Sequence, residues 1–251
     1  ESVQIPLRYY YNNLNSLINL LENMIRKNIP DIIFSSSCTV YGEPDVVPVT
    51  EKSPVKKSTS PYGNTKQISE EILLDTQSVN PFMRVICLRY FNPIGAHPSA
   101  FIGELPIGIP NNLVPFITQT AIGLRDELKV FGSDYATPDG TAIRDYINVV
   151  DLSKAHVVAL KRLSGEMNKF PFEIFNLGTG RGFSVLEVIK AFENATGVKL
   201  KYKIVNRREG DVEKVYADTS YANRELGWKA DKGIEESLLT AWKWEKYLKS
   251  L

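Results

Sequence analysis

Residues 31–42 read Asp31-Ile-Ile-Phe-Ser-Ser-Ser37-Cys-Thr-Val-Tyr-Gly42. The short apolar run at its start suits a buried parallel strand, and the run closes on three hydroxyls. Hydroxyls at the C-terminal end of a parallel strand lie where α/β sheets bind ligands. Upstream, Leu14, Leu17, Ile18, Leu21, Met24 and Ile25 recur at helical spacing, predicting an amphipathic helix over about residues 6–27 that Pro30 ends. Downstream, Ser60 as N-cap and Pro61 at the first helical position open a second helix, which runs to about Val79 and stops before Pro81. Arg84 to Arg89 is the next strand. Helix, strand, helix, strand is the rhythm of an α/β fold with a parallel sheet.

Past Phe91 the texture changes, and the shift near Phe91 to Pro93 marks a domain boundary. Residues 93–115 are rich in Pro, Gly and Asn and read as loop. Leu113 to Leu124 reads as a helix, Leu128 to Phe131 as a strand and Asp134 to Thr141 as a loop. Asp151 is the expected N-cap of a helix to about Leu163. Glu173 to Leu177 is a strand, Ser184 with Glu187 forms a capping box for a helix to Thr196, and Leu200 to Val205 is a strand. Ile234, Leu238, Trp242 and Leu248 suit a terminal amphipathic helix.

Composition narrows the function. The 30 Lys and Arg against 29 Asp and Glu leave a net charge of +1, without the basic field that nucleic-acid or membrane-surface binding needs. Hydrophobic residues at 43% and charged residues at 24% describe a soluble globular chain, and its two cysteines read as free thiols of a reducing compartment, so a cytoplasmic location is expected. Cys38, Cys87, His97 and His156 are too scattered for a structural zinc site, so no metal is expected. The uncharged stretch Leu105 to Leu124 is interrupted by Pro106, Pro110 and Pro115, which argues against a membrane span.

Tyr62 and Lys66 sit four apart and project from one helix face. An ammonium beside a phenol favours phenolate, so Tyr62 is expected to ionise below its usual pKa of about 10 and serve as a base. A Tyr and Lys at this spacing also occur as plain surface residues. What separates the readings is the upstream Ser-Ser-Ser-x-Thr-Val-Tyr-Gly, whose Ser37 would share a substrate hydroxyl with Tyr62.

Together these segments resemble the extended short-chain dehydrogenase/reductase family and, within it, the UDP-hexose 4-epimerases. The likeness continues in order through Leu88-Arg-Tyr-Phe-Asn-Pro-Ile-Gly-Ala-His97, Pro110-Asn-Asn-Leu113, Val130-Phe-Gly132, Asp139-Gly-Thr-Ala-Ile-Arg-Asp-Tyr-Ile147, Asn176-Leu-Gly-Thr-Gly180 and Arg207-Arg-Glu-Gly-Asp211. The resemblance implies a doubly wound Rossmann-type parallel sheet with a smaller α/β substrate-binding domain. Residues 1–92 would be the C-terminal part of an NAD-binding domain. Residues 93–251 would mainly bind UDP-sugar, with about 144–180 returning to the first domain. It implies Tyr62 as the catalytic base, Lys66 as its electrostatic partner and holder of the nicotinamide ribose, and Ser37 assisting proton transfer. Asn12, Tyr90 and Phe91 would touch NAD. Thr39, Asn92, Asn112, Leu113, Phe131, Arg144, Arg208 and Asp211 would hold the UDP-sugar. Arginines suit that role because they meet a diphosphate with bidentate, charge-assisted bonds. The implied reaction oxidises C4 of the sugar, turns the 4-keto sugar over and reduces it on the opposite face. A homodimer is implied as well.

Val215 aligns with a position lining the family's sugar pocket, where some members carry a bulky Tyr. A smaller residue would leave room for an N-acetyl group, so UDP-GlcNAc and UDP-GalNAc become candidate substrates. The family's 4,6-dehydratases place acidic residues after the strand-end hydroxyl, and here Cys38 and Thr39 follow Ser37, which disfavours that chemistry. A non-catalytic half-domain is the rival of another class, and the intact Ser37, Tyr62 and Lys66 argue against it. The resemblance starts after the family's glycine-rich phosphate turn, so roughly 80 to 100 residues of βαβ sequence are expected to precede Glu1. Gly178-Thr-Gly-Arg-Gly182 lacks dinucleotide-fingerprint spacing and reads as a tight turn between strand and helix. His97 and His156 read as structural.

Overall fold

The computed structural model describes residues 1–208 and 210–251. The chain forms two compact units, each assembled from three segments: residues 1–90, 155–177 and 217–228 in one, and 91–154, 178–216 and 229–251 in the other.

The first unit is built on helix α1 (Pro6–Arg26), strand β1 (Asp31–Ser37), helix α2 (Pro61–Val79) and strand β2 (Arg84–Tyr90). Pro at the start of α1 and Pro61 in α2 supply the fixed φ of a first helical turn. The Ser60 hydroxyl accepts the Gly63 N–H at 3.2 Å, the expected cap. β1 pairs in parallel with β2, with Ser37 opposite Tyr90, and β2 pairs in parallel with a strand numbered below as β6 (Phe172–Leu177). Val85 to Arg89 in β2 are all buried, as a central strand covered on both faces requires. Leu17, Leu21 and Met24 of α1 and Leu73 of α2 pack with Ile32, Val85 and Cys87 of the sheet. That packing sets the helix bearing Tyr62 and Lys66 against the strand ending in Ser37.

The second unit contains β3 (Asn92–Ile94), α3 (Leu113–Ala121), β4 (Leu128–Phe131) and β5 (Ile143–Asn148). After α4 (Val149–Ser164) and the β6 strand just given come β7 (Gly182–Ser184), α5 (Val185–Thr196), β8 (Tyr202–Val205), β9 (Lys214–Val215) and α6 (Ile234–Ser250). β5 is its organising strand. It pairs in parallel with β3 and β9 and antiparallel with β7. β4 and β8 form a separate parallel pair. Val114, Ile117, Val130, Phe192, Leu238 and Trp242 meet in the core. The Ser184 and Glu187 capping box forms in both directions.

Three local expectations are corrected. Asp151 does not cap α4. The helix starts at Val149, the Asn148 Oδ1 accepts the Val150 N–H at 2.9 Å, and one carboxylate oxygen of Asp151 accepts the N–H groups of Asp231 and Lys232 at 2.9 and 2.8 Å. The helix from Leu113 ends at Ala121, three residues early, and the strand expected from Leu200 begins at Tyr202. β5 itself carries no apolar periodicity, and sequence reading passed over it.

Candidate active site

In the first unit, the end of β1 meets the start of α2. A short 3-10 turn, Cys38–Tyr41, follows the strand, and Ser37 Oγ accepts the Thr39 N–H at 3.2 Å. A Cβ on Gly63 would crowd Thr39, so glycine lets the first turn of α2 lie against this corner. Lys66 extends its Nζ to the Ser35 carbonyl at 2.8 Å and sits 4.9 Å from the Phe34 ring centroid. Asn12 is exposed on α1. It lines, with Asn13, Phe34, Lys66 and Ser69, a cavity of about 440 Å³. Tyr90 ends β2, with its ring 6.2 Å from that of His156.

The electrostatics of Tyr62 run against the sequence expectation. Burial pushes its phenol up to about 12, with Tyr90 and Cys38 adding to the rise and the Ser37 hydroxyl opposing it. The Lys66 ammonium does not reverse this, because its Nζ is engaged with Ser35 and lies 5.7 Å from the Tyr62 ring centroid. Desolvation lowers the Lys66 pKa, against the pull of Glu70 one turn further along α2.

Behind this corner lies a buried network that sequence reading missed. Arg89 donates Nε and Nη2 to the two Glu70 oxygens at 2.9 and 2.5 Å, and Ser36 Oγ donates to the same carboxylate. Arg89 Nη1 also donates to the Tyr41 hydroxyl at 3.1 Å, which donates to Asn176 Oδ1 at 2.6 Å. Arg89 is 3% and Glu70 8% exposed, so the pair is desolvated, with each Arg89 nitrogen and each Glu70 oxygen in at least one bond. It joins the residue before Ser37, the helix of Lys66, and β2.

The second unit gathers a different set. Register pairs Arg144 of β5 with Val215 of β9, on one face of the sheet. Arg144 Nη1 donates to its neighbour's carbonyl, Ile143 O, at 2.8 Å. Its Nη2 reaches Asp211 Oδ1 only at 3.4 Å, a loose pairing. The Asp211 N–H closes a turn on the Arg208 carbonyl at 3.2 Å, and Arg208 is exposed. Val215 is 5% exposed. Phe131 ends β4, half-exposed at 37%, and the following Gly132, at φ 80°, turns the chain toward Tyr135. Phe91 is buried, and among the described residues the buried Oδ1 of Asn92 has no partner, nor has Thr39 Oγ1 in the first unit. Asn112 instead donates to Glu104 at 2.8 Å, and Leu113 begins α3 against the core. The structure thus brings Arg144, Asp211 and Val215 together, joins Arg208 to them through its backbone, and places Asn112 and Leu113 on a separate segment.

The glycine-rich stretch after β6 is an internal fastening. The Asp145 carboxylate accepts Thr179 N–H and Oγ1–H at 2.8 and 2.7 Å and Gly180 N–H at 3.1 Å, so these amides face a protein anion. His97 Nδ1 lies 2.8 Å from Ser99 Oγ in its own loop. Among the described residues no helix is long and apolar enough to cross a membrane, and no cluster of three or more His, Cys, Asp or Glu could hold a metal.

A strand-end Ser set against a Tyr-x-x-x-Lys helix on a parallel α/β sheet defines a short-chain dehydrogenase/reductase-type enzyme. A family model described as GDP-mannose 4,6 dehydratase matches residues 1–240. A UDP-glucose 4-epimerase of Haemophilus influenzae is 49% identical over 246 residues, 98% of this chain and 72% of the relative. A crystal structure of UDP-glucose 4-epimerase from Stenotrophomonas maltophila, with bound NAD and formylated UDP-arabinopyranose, superposes with a TM-score of 0.95 at 46% identity, covering 100% of this chain and 73% of that one. The Bifidobacterium longum UDP-glucose 4-epimerase in complex with NAD+ and UDP superposes with a TM-score of 0.94 at 48% identity, covering 98% and 72%. The chain belongs to the UDP-glucose 4-epimerase family, inside the broader family that the dehydratase model describes.

Proposed function

We propose that the protein interconverts UDP-glucose and UDP-galactose by NAD-dependent oxidation at C4, turning of the 4-keto sugar, and reduction on the other face. The observation that carries this reading is the complete Ser37, Tyr62 and Lys66 set in a chain half identical to curated epimerases along 98% of its length. The residues fit NAD. The cavity beside β1 presents the Asn12 amide and the Lys66 ammonium, donors suited to ribose hydroxyls and a carboxamide. When bound, NAD supplies the electron acceptor and donor that C4 chemistry requires.

Tyr62 takes the proton of the sugar 4-hydroxyl, and Ser37 hydrogen bonds the same oxygen. Lys66, whose Nζ has three donors and gives one to Ser35, offers the others to a ribose. Arg144 and Arg208 bind the diphosphate, Asp211 accepts from a ribose, and Phe131 lies on uracil. Asn92, Asn112, Leu113 and Thr39 complete the hold on the UDP-sugar, and Tyr90 and Phe91 that on NAD. Holding UDP firmly and the hexose weakly permits the keto sugar to turn. The test is to supply NAD and UDP-glucose and analyse the products. UDP-galactose is expected, a 4-keto-6-deoxy product would reassign the enzyme as a dehydratase, and no product would reject both.

The small side chain of Val215 supports UDP-GlcNAc and UDP-GalNAc as further substrates. Val215→Tyr should lose UDP-GlcNAc turnover and keep UDP-glucose turnover. A wild type inactive on UDP-GlcNAc would end this extension. A homodimer and a cytoplasmic location follow from the same reading, and light scattering on the purified protein checks the first.

A further inference from the structure

The hydroxyl of Tyr135 is buried and has no hydrogen-bond partner among the described residues. The residue is 5% exposed. Such a group costs stability unless something makes use of it, and native chains leave few of them. The ring is held firmly. Gly132, at a φ of 80° that favours glycine, leaves the space the ring occupies, and a Cβ there would run into Tyr135. The Arg207 guanidinium lies 4.0 Å from the ring centroid and is anchored to Asp134 through Nε at 2.7 Å. Backbone bonds from Tyr135 N–H to Gly140 O at 3.1 Å and from Thr137 N–H to Tyr135 O at 2.7 Å fix the loop. The charges of Asp211, Arg207 and Arg144 all act on the phenol. Burial first, then Asp211, raises its pKa, so the group stays protonated and can donate. Its neighbour Arg144 is itself only loosely bonded to Asp211.

We infer that Tyr135 is a ligand-binding residue whose unpaired hydroxyl donates to a phosphate oxygen of the nucleotide diphosphate beside Arg144. This rests on the reading that the Arg144 and Asp211 cluster binds UDP. A preset donor needs no rearrangement on binding, and its lack of a partner in the free protein is the cost of that readiness.

Tyr135→Phe removes only the hydroxyl and keeps the ring between Gly132 and Arg207. Calorimetry with UDP, UMP and uridine on the full chain, with thermal unfolding of the same samples, tests the inference. The expected result is a paired one: UDP affinity falls about ten- to a hundredfold, uridine affinity is unchanged, and the unliganded variant melts about 2–4 °C higher. Unchanged UDP affinity in the variant, with the wild type binding UDP, overturns the inference alone. Equal weakening for uridine places the contact on the nucleoside and overturns the phosphate assignment. A wild type that binds no UDP overturns this inference together with the reading of the cluster. A lower melting temperature marks the hydroxyl as structural and counts against it.

Discussion

Two clusters, one in each unit, treat their polar groups differently. Around Lys66 in the first, the charges behind the corner are desolvated and bonded: Arg89 meets Glu70 through two nitrogens, Ser36 adds a third bond, and Tyr41 and Asn176 continue the chain. Around Arg144 in the second, the bonding is looser: the guanidinium gives one bond of 2.8 Å to the Ile143 carbonyl, reaches the Asp211 carboxylate only at 3.4 Å, and the Tyr135 hydroxyl has no partner among the described residues. A saturated network holds geometry, which proton transfer needs because small misplacements cost large factors in rate. Unsaturated donors hold binding capacity, which a charged ligand can claim. On this reading the first unit is organised for reaction and the second for grip.

The largest effect is expected from Tyr62→Phe. Activity should fall by about 10²–10⁴-fold, the usual worth of a general base, while UDP affinity is unchanged. Near-normal turnover would remove Tyr62 from the chemistry. The pH profile adds a sign. With the phenol pushed up to about 12, phenolate is the minor form at neutral pH, so kcat/KM should climb as pH rises toward the alkaline range. A profile that falls with rising pH would contradict Tyr62 as base. The same shift bears on stability: the folded state favours the neutral phenol, a contribution intact below about pH 10 and lost as pH rises through about 12.

Next in size is Arg89→Met, which strands the Glu70 carboxylate in the interior. Unfolding free energy from urea titration should drop by about 3–5 kcal/mol. A loss under about 1 kcal/mol would show that the network is not needed to hold the corner. Smallest in its effect on the fold is Arg144→Gln, the complementary experiment in the second unit. UDP binding should weaken about tenfold or more with melting temperature nearly unchanged. A large fall in melting temperature would make Arg144 a structural residue and erase the contrast between the units.

Much of the first unit was legible in the chain. Ser60-Pro61, the stop before Pro81 and the apolar run from Asp31 are local signals, and local signals survive folding because their partners lie within a turn or two. The capping box at Ser184 is of the same kind. β5 was not legible, because Arg144 and Asp145 break any apolar alternation. Asp145 is tolerated at 0% exposure because Thr179 and Gly180, far along the chain, donate to its carboxylate. Asp151 was misread for a related reason: a carboxylate near a helix start looks like a cap, whether it serves its own helix or the N–H groups of Asp231 and Lys232. Tyr135 lay in a loop of turn residues with nothing to single it out.

The α/β rhythm, the helix carrying Tyr62 and Lys66, the strand-end hydroxyl at Ser37 and the family that these residues indicate could all be read along the chain. All of these depend on spacing along the chain, which periodicity and short motifs record. The state of those groups was set by folding. Burial, not the neighbouring ammonium, governs the Tyr62 phenol, Arg89 finds Glu70, and the Tyr135 hydroxyl finds no partner among the described residues. Desolvation and hydrogen-bond pairing depend on residues tens of positions apart, and a linear pattern holds no record of which of them will meet.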